Sequence, residues 1–231
     1  MNYLISIFLI VTVCLLPGCG GTLVDFAKET FPQGEEHKDQ KNIIKQYMRK
    51  THVYDQFTTL ALFDTLWLSD SIKEVYTDMY ASMLGKTDHS KKSFLRRQLK
   101  ENSHFISFYV LSTHEVPLTV NPVLWKIHLE IDGKKQLPFS LKLVEIPAQY
   151  QMMFGKNFTK HKQAYHLQFD RKDGNGNDLL SSGHEHDIKI VFSSSSHFSS
   201  IKWMVDTEGN LISKKDMMKR KKVDSCMSDD Q

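Results

Sequence analysis

Apolar and polar positions change their spacing several times along the 231 residues of this chain. Residues 4–16 form an almost continuous apolar run, and a charged stretch with Pro32 and Gly34 follows it. Helical and strand-like spacings are interspersed from residue 39 to 101, and alternation predominates from residue 104 to 205. Because alternation is typical of strands, and a spacing of three to four of helices, the pattern predicts a leader followed by a strand-rich domain.

Three helices are predicted from apolar residues spaced three or four apart. The first covers Asp39 to Lys50, and the second begins at an N-cap on Ser69 or Asp70 and ends before Gly85. The face of the second helix that is expected to pack on the core contains Ile72, Val75, Tyr76, Met79, Tyr80, Met83 and Leu84. The third, over Ser90 to Glu101, is strongly basic, and its only large apolar residues are Phe94, Leu95 and Leu99.

Seven segments alternate apolar and polar residues as half-buried strands do. They are residues 53–68, 104–111, 125–132, 139–143, 165–169, 188–192 and 201–205. Asp132-Gly133 is a typical hairpin turn. The predicted fold is therefore mainly β within the α+β class, an antiparallel β-sandwich with a helical hairpin, residues 69–101, inserted after the first strand. This domain covers residues 41–212, between a linker at 19–40 and a charged tail at 213–231 that is expected to be disordered.

The apolar run Leu4 to Leu16, about 13 residues, suits a signal peptide and is shorter than the roughly 20 residues of a membrane span. It ends at Leu16-Pro17-Gly18-Cys19, which resembles the lipobox of bacterial lipoproteins. The resemblance implies cleavage after residue 18 and lipidation of Cys19. It also implies retention at the outer membrane, because the residue after the cysteine is Gly20 and not the Asp that favours the inner membrane.

Two features of the leader depart from the lipobox pattern. Met1-Asn2-Tyr3 contains no Lys or Arg, and Pro17 is not the commonest residue at its position. An ordinary secretory signal and an uncleaved membrane anchor are therefore the two alternatives to a lipoprotein signal.

The segment Arg49 to Phe57, the Tyr-rich helix after it, and the strands around Trp125 and Trp203 resemble a group of uncharacterised proteobacterial lipoproteins. The resemblance extends loosely over most of the chain that follows Cys19. It implies an envelope lipoprotein, but it implies no activity and no functional residue.

Charge and cysteine content exclude several classes of protein. The net charge of +3 is concentrated in the tail, where the basic residues are Lys214, Lys215, Lys219, Arg220, Lys221 and Lys222. The folded domain therefore lacks the basic composition of a nucleic-acid-binding protein. Of the three cysteines, Cys14 lies in the signal, Cys19 would carry lipid and Cys226 lies in the tail. This excludes an internal disulfide in the mature chain and a zinc site built on several thiolates.

Two clusters contain residues that bind metals in other proteins. The segment 173–178 places Asp and Asn at alternate positions as a calcium loop does, but Asp178 and His184 occupy the positions of an EF-hand's Gly and Glu. His184 and His186 could both ligate a transition metal, yet the sequence places no third ligand. The favoured interpretation is a solvated loop and a polar approach to a strand, with no metal site and no cofactor.

No motif for nucleophilic catalysis is present, including around Ser193 to Ser196 and Asp55, which are interpreted as turn residues. The sequence therefore predicts a lipid-anchored, non-catalytic interaction or structural module of the cell envelope, with the membrane and a further envelope protein as partners. The alternatives are a metal-dependent hydrolase that uses His184 or His186, and a carrier of a small or lipid ligand between the sheets. The basic segments 90–100 and 214–222 are interpreted as solvated, with binding to anionic lipid as the alternative.

Overall fold

The computed structural model describes residues 35–56, 58–113, 116–118 and 125–212. The predicted signal peptide, Cys19 and the charged tail with Cys226 lie outside these residues. The compact unit that contains the sheets begins at Asp39. Within the described ranges, no helix is both long enough and apolar enough to cross a membrane.

Four helices and nine strands make up the described chain. The helices are α1 (Glu35–Tyr47), α2 (Asp70–Met83), α3 (Asp88–Asn102) and α4 (Ala148–Phe154), and α4 continues into a 3-10 turn at Gly155–Asn157. The strands are β1 (Met48–Asp55), β2 (Thr58–Trp67), β3 (Phe105–Thr113), β4 (Lys126–Ile131), β5 (Lys134–Gln136), β6 (Ser140–Leu143), β7 (Lys162–Asp170), β8 (His186–Ser193) and β9 (Phe198–Val205).

The strands form two antiparallel sheets. Sheet A has five strands in the order β1-β2-β3-β7-β6, and sheet B has four in the order β5-β4-β8-β9. The predicted turn joins β4 to β5, where Asp132 and Gly133 both have positive φ, as a tight two-residue hairpin requires. The predicted class, a mainly β, sandwich-like α+β fold, is confirmed.

The beginning of the domain differs from the prediction. Helix α1 ends at Tyr47 and not at Lys50, because Met48 to Asp55 form strand β1, which pairs with β2. The single strand expected over residues 53–68 therefore contains the end of β1, a turn at Gln56 with φ 50°, and β2. Consequently the helical pair α2–α3 follows the second strand. Alternation continues through the turn, so periodicity alone did not show the reversal.

Helix α2 begins as predicted, since the Ser69 side chain accepts a hydrogen bond from the amide of Ile72. Gly85 follows the end of the helix with φ +56°, which is also as predicted. The last two residues of the predicted core face, Met83 and Leu84, are 50% and 53% exposed, so that part of the prediction is wrong. Packing of α2 against its neighbours ends one turn earlier, near Met79 and Ala81.

Aromatic rings fill the space between the two sheets. Phe63 of sheet A stacks on Phe192 of sheet B with ring centroids 4.1 Å apart. Trp203 is fully buried, and its ring packs against those of Trp67 and Phe108, with ring centroids 6.1 Å and 5.5 Å apart. Trp125 packs edge-on against Phe63. A core packed in this way leaves no room for a ligand between these residues, which argues against the carrier alternative.

The outer faces of the two sheets differ. Helices α3 and α4 cover the outer face of sheet A, where Gln168 contacts Glu101 of α3 and Tyr109 contacts Tyr150 of α4. The outer face of sheet B is charged, and three of its lysines are paired with acids. Lys189 and Lys135 bind Glu130 at 2.5 and 3.8 Å, and Lys202 binds Asp187 at 2.6 Å.

Candidate functional site

A cleft of about 380 Å³ with several polar lining residues lies at one end of the sandwich. We call it the terminal cleft. It lies where β2 passes into α2, β3 begins, β7 ends and β8 begins. The polar residues that define it include Ser69, Asp70, Asn102, Ser107, Arg171 and His186. Strand ends of both sheets therefore contribute to it.

Asn102, the last residue of α3, organises the wall of the terminal cleft. Its side-chain nitrogen donates to the carbonyl of Leu68 at 3.0 Å and to Asp70 Oδ1 at 2.7 Å. Because both partners are acceptors, the orientation of the amide is fixed by chemistry. Arg171 Nη1 donates to the backbone carbonyl of Asn102 at 3.0 Å. These bonds join the end of β2, the helical pair and the end of β7.

The loop after β7 is held by its own carboxylates. Arg171 Nε donates to both oxygens of Asp178 at 3.0 Å. Asp173 Oδ1 accepts hydrogen bonds from the amides of Asn175 and Asn177, each at 2.9 Å. The bonds from Asn177 are the main reason that the pKa of Asp173 is lowered. The oxygens that suggested a calcium loop thus stabilise a turn, which fits the solvated-loop interpretation.

His186, at the start of β8, is 5% exposed and uses both ring nitrogens. Nδ1 lies 2.7 Å from Asp132 Oδ2, and Nε2 lies 2.8 Å from the carbonyl oxygen of Ser181. Burial alone would lower the pKa of His186, but the bonds to Ser181 and Asp132 outweigh it and raise the pKa above 6.5. The imidazole therefore joins the loop before β8 to the β4–β5 turn, and a metal ion would have to displace one of these bonds.

The stability of the domain should depend on pH through the charge of His186. A raised pKa in the folded state means that the ion pair stabilises the protein fully below the unfolded pKa, and that this contribution is lost as pH rises through the folded pKa. We expect Asp132→Asn, which suits the positive φ at this turn, to lower the melting temperature more at about pH 6 than at about pH 8. An equal loss at both pH values would contradict a charged His186. Lys126→Gln, at an exposed lysine of the same strand pair, is the control.

His184 was the other candidate metal ligand. Its ring lies 5.3 Å from that of His186, and its Nε2 lies 3.2 Å from Ser181 Oγ. A serine beside a histidine can act as a nucleophile when a third group orients the ring. No such group bonds to the other nitrogen of His184 in the described ranges, where no set of three or more potential metal ligands occurs either. Ser181 and His184 lie three residues apart in one exposed turn, where such local side-chain hydrogen bonds are common.

A second polar cluster lies beneath the helices and was not expected from the sequence. Lys73 of α2 is 1% exposed, and its Nζ donates to Glu101 Oε2 at 2.8 Å and to the carbonyl of Gln98 at 2.9 Å. Gln168 Nε2 of β7 donates to Glu101 Oε1 at 3.0 Å. Helical spacing gave a signal, because Lys73 lies three residues before Tyr76 on the apolar side of α2.

Three tyrosines extend this cluster along the outer face of sheet A. Tyr150 stacks on Tyr76 at 4.2 Å and meets Tyr109 edge-on at 5.0 Å. Burial, with smaller effects from Tyr76 and Glu101, raises the pKa of Tyr109 to about 12. Burial is also the main reason that the pKa of Tyr150 is raised and that of His166 is lowered. These groups stay neutral near pH 7 and serve packing between helices and sheet.

Comparison with protein-family models, curated proteins and solved structures found no match.

Proposed function

We propose that this protein is a lipid-anchored, non-catalytic module of the bacterial cell envelope, tethered to the outer membrane through Cys19 and facing the periplasm. A lipobox-like Leu16-Pro17-Gly18-Cys19 follows an apolar run of signal-peptide length. The loose resemblance of the chain to a group of uncharacterised proteobacterial lipoproteins supports this proposal. A further envelope protein is the partner that such a tethered module would bind.

One observation carries the non-catalytic part of the proposal. Three polar side chains of the terminal cleft are bonded to carboxylates, Asn102 to Asp70, Arg171 to Asp178 and His186 to Asp132, whereas Ser107 Oγ and Asn102 Oδ1 are buried without a partner among the described residues. A catalytic site instead presents a nucleophile with its base, or an acid with its partner, to an incoming substrate. This mutual bonding supports a role in holding the loops of the domain in a fixed surface for a partner.

The anchor is tested by Cys19→Ala. We expect the wild-type chain to fractionate with the outer membrane and to incorporate labelled palmitate, because an acylated amino terminus with several chains is held firmly in a bilayer. The variant should lose the label and leave the lipid-anchored fraction.

Gly20→Ala, which keeps the thiol, is the matched control and should be labelled as the wild type is. Unlabelled wild-type protein, or a variant that keeps its label, would overturn the lipid anchor. In that case a cleaved secretory signal and an uncleaved anchor are distinguished by sequencing the amino terminus.

A further inference from the structure

Helix α3 carries a row of unpaired cations on its outward face. Lys92, Arg96 and Lys100 follow one another at four-residue spacing, so they lie on one side of the helix over about 12 Å. Arg97 lines the groove between α2 and α3, with its guanidinium carbon 5.7 Å from the centre of the Phe94 ring, and all four side chains are exposed. We call this set the α3 basic face. None of its members forms an ion pair with any residue that the structure describes.

The acids of the helix do not neutralise this face. Helix α3 contains five Lys or Arg against only Asp88 and Glu101. Glu101 is already bound to the buried Lys73 and to Gln168. Asp88, four residues before Lys92, lies in the first turn, where an acid interacts favourably with the helix terminus, and it forms no ion pair with Lys92. The excess positive charge therefore faces solvent.

This arrangement is costly to the helix and is not repeated on the other charged surface. Like charges four residues apart destabilise a helix by a few tenths of a kcal/mol per pair. On sheet B, by contrast, Lys189 and Lys202 each have an acid within 2.6 Å. A row of exposed cations without ion pairs to described residues, on a domain in which Lys135, Lys189 and Lys202 of sheet B are paired with acids, indicates a surface that meets an anionic partner.

Exposed apolar residues lie at the end of α2, just before α3 begins along the chain. Met83 and Leu84, at the end of α2, are 50% and 53% exposed, and only the short α2–α3 turn separates them from α3. The groove between the two helices, which Arg97 lines, adds Lys86 to the positive surface. Cations beside exposed large apolar side chains are typical of surfaces that bind at a lipid headgroup layer, where the apolar groups enter the acyl boundary.

We propose that the α3 basic face, together with Met83 and Leu84, docks the domain on a bilayer surface rich in anionic phospholipid. The inference deepens the proposed function, because a domain tethered by lipid stays close to such a surface and meets it at high effective concentration. Each cation near an anionic bilayer strengthens binding by about 1 kcal/mol, so several of them suffice for docking once the tether supplies proximity.

The test uses the chain from Gly20 to Gln231, which has no lipid, with vesicles of phosphatidylcholine made with or without phosphatidylglycerol. We expect binding only when phosphatidylglycerol is present, weakening as salt is added. Lys92→Glu combined with Arg96→Glu should weaken binding by about tenfold or more. The matched control, Lys126→Glu with Lys134→Glu, makes the same charge change at exposed lysines of sheet B and should alter binding by less than about twofold.

Leu84→Ser should weaken binding to the same vesicles a few-fold and leave its salt dependence unchanged, because it removes apolar contact and no charge. Thermal melts establish that each variant is folded. Equal losses in the α3 and sheet B variants, binding without phosphatidylglycerol, or binding to a DNA duplex in place of vesicles would overturn the proposal. Since the protein used has no lipid, a negative result here is distinct from failure of the anchor at Cys19.

Discussion

Replacing Trp203 with alanine is expected to destabilise the domain by about 3–5 kcal/mol, a large part of the total stability of most domains. The indole is fully buried between the sheets, where it contacts Trp67 and Phe108. Its Nε1 donates to the carbonyl oxygen of Tyr47 at 3.2 Å, at the end of α1. Truncation therefore leaves a cavity and an unpaired carbonyl together.

Equilibrium unfolding in urea measures this loss. Trp203→Phe keeps most of the ring volume and removes the hydrogen bond, so we expect a smaller loss of about 1–2 kcal/mol. Phe198→Ala, on the same strand at a side chain that is 79% exposed, is the control and should cost less than about 0.5 kcal/mol. If Trp203→Ala cost no more than this control, the tight inter-sheet packing would be disproved.

Removing Glu101 is expected to be more damaging than removing its buried partner. Glu101→Ala leaves the ammonium group of Lys73, 1% exposed, without its counter-charge, and we expect a loss of about 3–5 kcal/mol. Lys73→Met keeps the volume of the stem and removes the buried charge. Glu101 is 39% exposed and can then turn to water, so the loss should stay below about 1.5 kcal/mol.

The double variant separates charge burial from lost packing. If the penalty of Glu101→Ala comes from an uncompensated ammonium group, adding Lys73→Met should restore part of the lost stability. Chemical denaturation of all four proteins completes the cycle. Strictly additive losses would show that the two side chains act independently and would contradict the asymmetry.

The strands were the most predictable part of the fold. In β8, buried Ile188, Ile190 and Phe192 alternate with Asp187, Lys189 and Val191, as a sheet with one covered face requires. The sequence also contained the Ser69 cap and the Asp132-Gly133 turn, whose local chemistry does not depend on the rest of the fold. Each of these features depends on only a few consecutive residues.

The rest depended on contacts between distant segments. The local spacing does not show that the helix ends before Met48, because Met48 belongs to a strand through its pairing with the distant residue Leu66. Helix α4 was missed because only seven residues form it and its apolar residues pack on Tyr76 and Tyr109, far away in sequence. The cleft was not predictable either, because Asn102, Asp70 and Arg171 come together from three segments.

Strand β1 also determines how the domain would respond to a pulling force from an N-terminal tether. Such a load enters through α1 and reaches β1, whose eight residues are paired with β2. The hydroxyl of Thr51 in β1 hydrogen-bonds to that of Ser199 in β9, and Trp203 bonds to the residue that precedes β1. Detaching the loaded strand thus requires contacts with both sheets to break together, so this edge strand resists a pulling force through both layers of the sandwich.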